Sequence, residues 1–236
     1  SPLAFAVKTF TITTSGAEDE SKGTITQTAT VDYGTDFTVE ATAKQGYQIQ
    51  KIVLNGTDII QDAGTKNWSQ KLENIQSNQA VQVVFTEIKY TLSYNIGANG
   101  EMTYVGESGS TEVPGGTVAS VEINESTDEN SVSKLQVTAT PDTGYRVSKV
   151  IIDGGEPIEF AENDRTYTCV FDMNEDHSFA VEFSLNGYNI KVPETENGTV
   201  VSNKTLVETG GEVSVTFTPS NNYKVDKIFV KTTSNT

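Results

Sequence analysis

The chain has 236 residues, only 35% of them hydrophobic, and its 32 acidic against 16 basic side chains give a formal charge of −16. Such a charge repels nucleic acid and anionic lipid, so no nucleic acid and no membrane insertion are expected; no apolar run nears the roughly eighteen residues of a membrane span. The length suits one large domain or a few small ones, and abundant Thr, Ser, Asn, Gly and Val favour strands and turns over helices.

The opening SPLAFAV places Ala4-Phe5-Ala6 in the small-x-small pattern that ends a secretory signal, so residues 1–6 are expected to be a signal remnant or linker. Phe10, in TFTITTSG, opens a first alternating run. Phe37, Val39 and Ala41 make a second, with Thr and Glu between, as a strand with one buried face requires. Lys44-Gln45-Gly46 then turns the chain into Tyr47, the glycine suiting a backbone at positive φ. Beyond Tyr47 the alternation reaches Ile49 and changes phase to Ile52 and Leu54, which predicts a bulge beside Lys51. That lysine is expected to be solvated, its stem lying along the bend. VQVVF, ending at Phe85, closes the unit.

The same order returns twice. The second pass runs from Tyr90 through Leu135, Val137 and Ala139, the turn Asp142-Thr143-Gly144, Tyr145, Val147, and Val150 and Ile152 after Lys149, to FAVEF ending at Phe183. The third runs from Tyr188 through Val213, Val215 and Phe217, the turn Ser220-Asn221-Asn222, Tyr223, Val225, and Ile228 and Val230 after Lys227. Tyr47 to Phe85 and Tyr145 to Phe183 are both 38 residues, whereas 13 follow Tyr223. Repeats are therefore placed at 7–88, 89–186 and, in part, 187–236. Tyr47, Tyr145, Tyr223, Phe85 and Phe183 are expected to pack the repeated core.

The second repeat is longer. From opening aromatic to alternating strand it spends 45 residues against 27 and 25 in the others. The surplus centres on VASVEINESTDENSVSK, which predicts a β-hairpin near 118–134, standing out from the body around the acidic turn Asn124 to Asn130. The third repeat, without the last strands, is expected to expose a sheet edge and to be the least ordered region or to pair with another chain.

These motifs together, the YTL strand, GANG and ENG turns, Gly115-Gly116 and Gly210-Gly211, VTATPDTGYRVSKVIIDG and EDHSFAVEF, resemble the divergent internalin-type B repeat of bacterial surface proteins. The resemblance covers nearly the whole chain, in two complete copies and one partial copy. It implies a mainly β fold of tandem small β-grasp-like units, used in extracellular stalks and adhesive regions, and it brings no catalytic residues. The joints at Thr86 to Lys89 and Ser184 to Gly187 are short, so the units are expected to form an elongated, semi-rigid rod.

Little chemistry is assembled along the chain. Asp172, Asn174 and Asp176 are oxygen donors at the first, third and fifth positions of a calcium loop. His177 stands where such a loop needs glycine and Phe183 where it needs glutamate, and copy one has Asn74 to Asn78 in this place, so a solvated turn is expected and calcium is the alternative. Glu18-Asp19-Glu20 and Glu162-Asn163-Asp164 are expected to be charged loop tips. Cys169 is the sole cysteine, so no intrachain disulfide is available, and its alternating neighbours make it a small core residue. His177 is the sole histidine, with Ser178 on the opposite strand face, and GxSxG, P-loop and Rossmann fingerprints are missing. Trp68 opens a core-facing run, leaving Tyr33, Tyr94 and Tyr104 as looser candidates for a glycan platform.

The expectation is thus a monomeric, non-catalytic repeat region of a surface protein, extracellular on a bacterial cell, serving as a stalk or spacer and in adhesion. Its partners would be host or matrix proteins or glycans, with no cofactor. A ligand-binding module using the second repeat's hairpin, or an accessory region of a larger secreted enzyme, are the alternatives.

Overall fold

The computed structural model describes residues 2–160, 166–208 and 210–231. Among them there are strands and turns and no helix, and so no helix long and apolar enough to cross a membrane.

Unit one contains β1 (Thr9–Ser15), β2 (Gly23–Ile25), β3 (Ala29–Asp32), β4 (Phe37–Ala43), β5 (Tyr47–Leu54), β6 (Thr57–Ile60), β7 (Asn67–Leu72) and β8 (Gln79–Glu87). They form a five-stranded sheet, β3-β1-β8-β5-β6, and a three-stranded sheet, β2-β4-β7. The first and last strands, β1 and β8, run parallel at the centre of the larger sheet. Alternate residues of both sheets meet in one core: Ile12, Ile49, Ile52, Val81 and Val83 from the larger, Val39, Ala41, Ala43 and Leu72 from the smaller. A period-two pattern puts those side chains on one face, and burying them drives the two sheets together.

Unit two repeats this plan with β9 (Lys89–Ile96), β10 (Gly100–Gly106), β11 (Gly109–Pro114), β12 (Val118–Asn124), β13 (Lys134–Pro141), β14 (Tyr145–Ile152), β15 (Ile158–Glu159), β16 (Tyr167–Asp172) and β17 (His177–Leu185). The sheets are β12-β9-β17-β14-β15, with β9 and β17 parallel, and β11-β10-β13-β16. Its core gathers Leu92, Ile96, Met102, Leu135, Val137, Val147, Val150, Met173 and Phe179.

Two features expected from spacing, the bulges and a positive φ before each tyrosine, are present, while the lysines expected to be solvated are ion-paired. The ladders of β5 and β14 on β8 and β17 slip between Ile49 and Lys51 and between Val147 and Lys149, so a bulge falls beside each lysine. Lys51 and Lys149 are half-buried and bound to Asp58 and Glu182, each at 2.6 Å. Gly46, Gly144 and Asn222, before the three tyrosines, have φ of 83°, 85° and 71°.

The hairpin near 118–134 is corrected. β12 does not pair with β13; it lies antiparallel on β9, at the edge of the larger sheet, while β13 sits between β10 and β16 in the other. Each alternating arm pairs with strands other than its neighbour in sequence, β12 at the edge of one sheet and β13 inside the other. β10 takes the place that β2 holds in unit one, and the added strand is β11, which pairs with β10 in a hairpin turning at Glu107-Ser108 into Gly109, whose φ is 108°. Its cue is the stretch GESG between two alternating arms.

Unit three holds β18 (Gly187–Asn189), β19 (Gly198–Ser202), β20 (Leu206–Glu208) and β21 (Val215–Pro219), paired β18-β20 and β19-β21. Residues 223–231 match β5 and β14 in sequence but form no strand, and Tyr223, Phe229 and Val230 are 56%, 80% and 90% exposed. The expectation that Tyr223 packs a core is therefore corrected. β5 and β14 are held by β8 and β17, and an extended segment without such a partner leaves its backbone groups to water. Amides of 223–231 are expected to exchange with solvent at rates near those of an unfolded chain, and those of 145–152 far more slowly. Hydrogen-exchange mass spectrometry checks this, and equal protection of the two segments would refute it.

Candidate functional site

The residues singled out for chemistry are engaged in structural work. Asp172 pairs with Lys134 at 2.5 Å, and Asp176 Oδ1 accepts the Thr91 N–H at 2.7 Å. In unit one Asn78 Oδ1 accepts the Thr11 N–H at 2.9 Å, so an amide there does the work of the Asp176 carboxylate. Among the described residues no three His, Cys, Asp or Glu side chains converge on a metal position. Glu18 folds back onto the Gly16 N–H, and Asp19 accepts from Ser21, as turn carboxylates do. Glu162-Asn163-Asp164 lies outside the described residues.

Cys169 is half-buried on β16, and burial, with the Asp153 charge behind it, pushes its thiol up to about 11, which keeps it protonated and unreactive at neutral pH. Trp68 packs against the first core. Tyr94 is a buried core residue and Tyr104 leans on the same core, its ring 6.4 Å from that of Tyr94. Tyr33 is 51% exposed, alone beside Phe10. Three coplanar, exposed aromatics are not assembled from this set.

Of the repeated core residues, Tyr47 lies half-buried against the first core, and Tyr145 is half-buried. Phe85 and Phe183 press across the gap between sheets. A Cβ on Gly23 would stand 2.5 Å from the Phe85 ring, and one on Gly100 would stand 2.5 Å from the Phe183 ring. Each glycine is the flat seat of an aromatic plug; the cue in the sequence was a glycine recurring at 23, 100 and 198, ahead of an alternating pair.

The most specific arrangement is one that spacing did not reveal, the joint between units one and two. One residue, Ile88, separates β8 from β9, and its N–H donates to the Gly46 carbonyl at 2.9 Å. At the next joint Asn186 makes the same bond to Gly144 at 2.7 Å. The Ile88 carbonyl accepts the Glu125 N–H at 2.8 Å, which brings the end of β12 against unit one. Glu125 Oε2 then accepts the Gly46 N–H at 3.0 Å and faces Lys66 Nζ at 3.7 Å, while Oε1 accepts the Tyr90 hydroxyl at 3.3 Å. Lys66 also donates to the Tyr47 carbonyl at 2.7 Å. Burial, and then the Glu125 charge, hold the Tyr90 phenol above its ordinary range. A carboxylate that is 17% exposed and has three partners on both units works as a bracket.

Searched against known families, the chain matches the profile described as the divergent InlB B-repeat domain at residues 11–89, 90–187 and 188–235. The chain belongs to this family. Its three B repeats coincide with the two complete units and the third. No curated protein matches. Among solved structures, the Bacillus anthracis TIE protein is similar over 90% of this chain and 44% of its own, at 11% identity and a TM-score of 0.36. The chain thus spans less than half the length of that protein.

Proposed function

We propose that these B repeats are a non-catalytic spacer of a bacterial surface protein, monomeric and extracellular, which holds another part of that protein at a distance. The single observation that carries the reading is the bracketed joint. Ile88 and Glu125 tie unit two to the Gly46 turn and Lys66 of unit one, so force or reach passes from one unit to the next with little slack. Membership in a B-repeat family of surface proteins, and the strong negative charge that keeps exposed strands apart, support it.

The test is small-angle scattering on the full chain, with and without millimolar calcium. An elongated profile that calcium leaves alone is expected; a compact one would overturn the spacer. Glu125→Ala should loosen the joint, removing about 1–2 kcal/mol of coupling between units and broadening the scattering-derived distance distribution without lowering secondary structure. An unchanged distribution would remove the bracket from the account.

A second reading is favoured by one observation, that β11, the outer arm of the β10–β11 hairpin, has no counterpart in unit one. With β12 it frames a cleft of 290 Å³ lined by Tyr104, Val121, Ile123 and Leu135, at the small end for a ligand site. A host or matrix protein or a glycan would bind there. Because β12 and Glu125 hold the sheet and the joint, deleting 119–133 would damage both. Shortening the hairpin tip at 105–110 is the cleaner test, and binding that survives it would refute this reading.

A further inference from the structure

The two complete units close the same turn with different chemistry. In unit one Asn55, at φ 51°, ends β5; its Oδ1 accepts the Ala80 N–H at 2.8 Å and its Nδ2 donates to Gln79 Oε1 at 2.6 Å. In unit two the same positions are Asp153, also at φ 51°, whose Oδ1 accepts the Ser178 N–H at 2.8 Å and whose Oδ2 lies 3.0 Å from His177 Nδ1. Both latches tie the turn after the bulged strand to the first residue of the central strand, β8 or β17. One is a neutral amide pair and the other a carboxylate and an imidazole.

The second contact of His177 decides what the imidazole must be. Its Nε2 lies 3.0 Å from the Asp172 carbonyl, so both ring nitrogens face groups that only accept. A neutral imidazole has one N–H and turns a lone pair on one of these oxygens. The imidazolium donates to both. We propose that Asp153–His177 is a proton-operated latch on unit two, closed while His177 carries two protons and slackened when it loses one, beside an Asn55–Gln79 latch in unit one that protons do not affect.

The surroundings agree. The charges facing the ring are Asp153 from the β14–β15 turn and Glu175 from the turn before β17. The Asp172 carboxylate is taken up by Lys134 of β13, and Asp176 by the Thr91 N–H of β9. On β16, Cys169 is held neutral, and the Phe171 ring packs 4.9 Å from the imidazole. Burial pulls the ring's pKa down, but Asp153, the Asp172 carbonyl and Glu175 together outweigh it, and the net direction is up. Asp153 is pushed up by burial and drawn down further by the Ser178 N–H and His177, for a net fall.

The signs follow from these directions. A histidine whose folded pKa is raised contributes stability that is fully present below its unfolded pKa and lost as pH rises through the folded one. The aspartate's contribution is present above its unfolded pKa and lost as pH falls through its lowered folded one. The latch is therefore closed from mildly acid pH up to the folded pKa of His177 and opens above it. A spacer built this way has one unit that tightens on mild acidification and one that does not.

His177 is the only histidine, so its ring resonances in NMR of the full chain report its titration without assignment. Trp68 is the only tryptophan and lies in unit one, so its fluorescence reports unfolding of that unit alone. A ring pKa above the ordinary value of about 6.5 is expected, with the two ring N–H protons observable below it. Unit two should unfold at progressively lower denaturant as pH rises from the unfolded value of about 6.5 through the raised folded pKa of His177, while the Trp68 transition stays put. Asp153→Asn with His177→Gln installs the unit-one pair and should abolish that dependence; Asn55→Asp with Gln79→His should confer it on unit one. A ring titrating at or below the ordinary value would overturn the proposal, and so would pH dependence that persists in the amide variant. If either double variant fails to fold, the ring titration of the unaltered chain still decides.

Discussion

Phe179→Ala is expected to destabilise unit two by about 3–5 kcal/mol and to leave unit one standing. Phe179 is 1% exposed on the central strand β17, with the rings of Tyr167 and Phe171 each 6.4 Å away, one stacked and one edge-on. Removing it takes away a whole aromatic side chain and leaves a cavity between two sheets that the pleat prevents from closing. For a unit of this size each kcal/mol is worth roughly 4–8 °C, so the unit-two transition should fall by at least about 12 °C. The Trp68 transition should move by much less, because the two cores are separate clusters. Differential scanning calorimetry followed alongside tryptophan fluorescence resolves the two. If both transitions fell together, the repeats would be one cooperative block and the description as separate units would fail.

Gly16→Ala should cost unit one about 3–5 kcal/mol, and Gly56→Ala only about 1 kcal/mol, although both glycines have positive φ. Gly16, at φ 95°, follows β1 directly, and a Cβ there would fall on the Val83 carbonyl oxygen of the neighbouring central strand. Relief would require β1 and β8 to part, and they are the parallel pair through which the whole larger sheet is joined. Gly56, at φ 82°, turns β5 into β6 with nothing within 4 Å of its Cβ position, so only the backbone preference is lost. Denaturant unfolding read by Trp68 fluorescence measures both. Equal costs would mean that left-handed backbone strain, and no close approach, explains Gly16.

Residue spacing alone determined a good deal about this protein. Alternation at Phe37-Val39-Ala41 and Leu135-Val137-Ala139 marked β4 and β13, because a pleated strand with one dry face has no other way to be written. The phase change before Lys51 and Lys149 marked the bulges, since one residue of slip would otherwise turn every side chain to the wrong face. Glycine or asparagine ahead of each tyrosine marked a left-handed turn. All of these are local, and a one-dimensional pattern carries them.

Partner choice is not local, and only the tertiary structure decided it. The two arms around Asn124 to Asn130 looked like a hairpin because both alternate, but alternation does not name a strand's partner. The partners are β9 for one arm and β10 and β16 for the other. Tyr223 carries the same local string as Tyr47 but is exposed, and among the described residues no strand pairs with the segment it opens as β8 pairs with β5 in unit one. Glu125 as the bracket and His177 opposite Asp153 were equally hidden, each contact joining residues far apart in sequence. A pattern of period two says which face of a strand is dry; what lies against that face depends on the free energy of the whole assembled sheet.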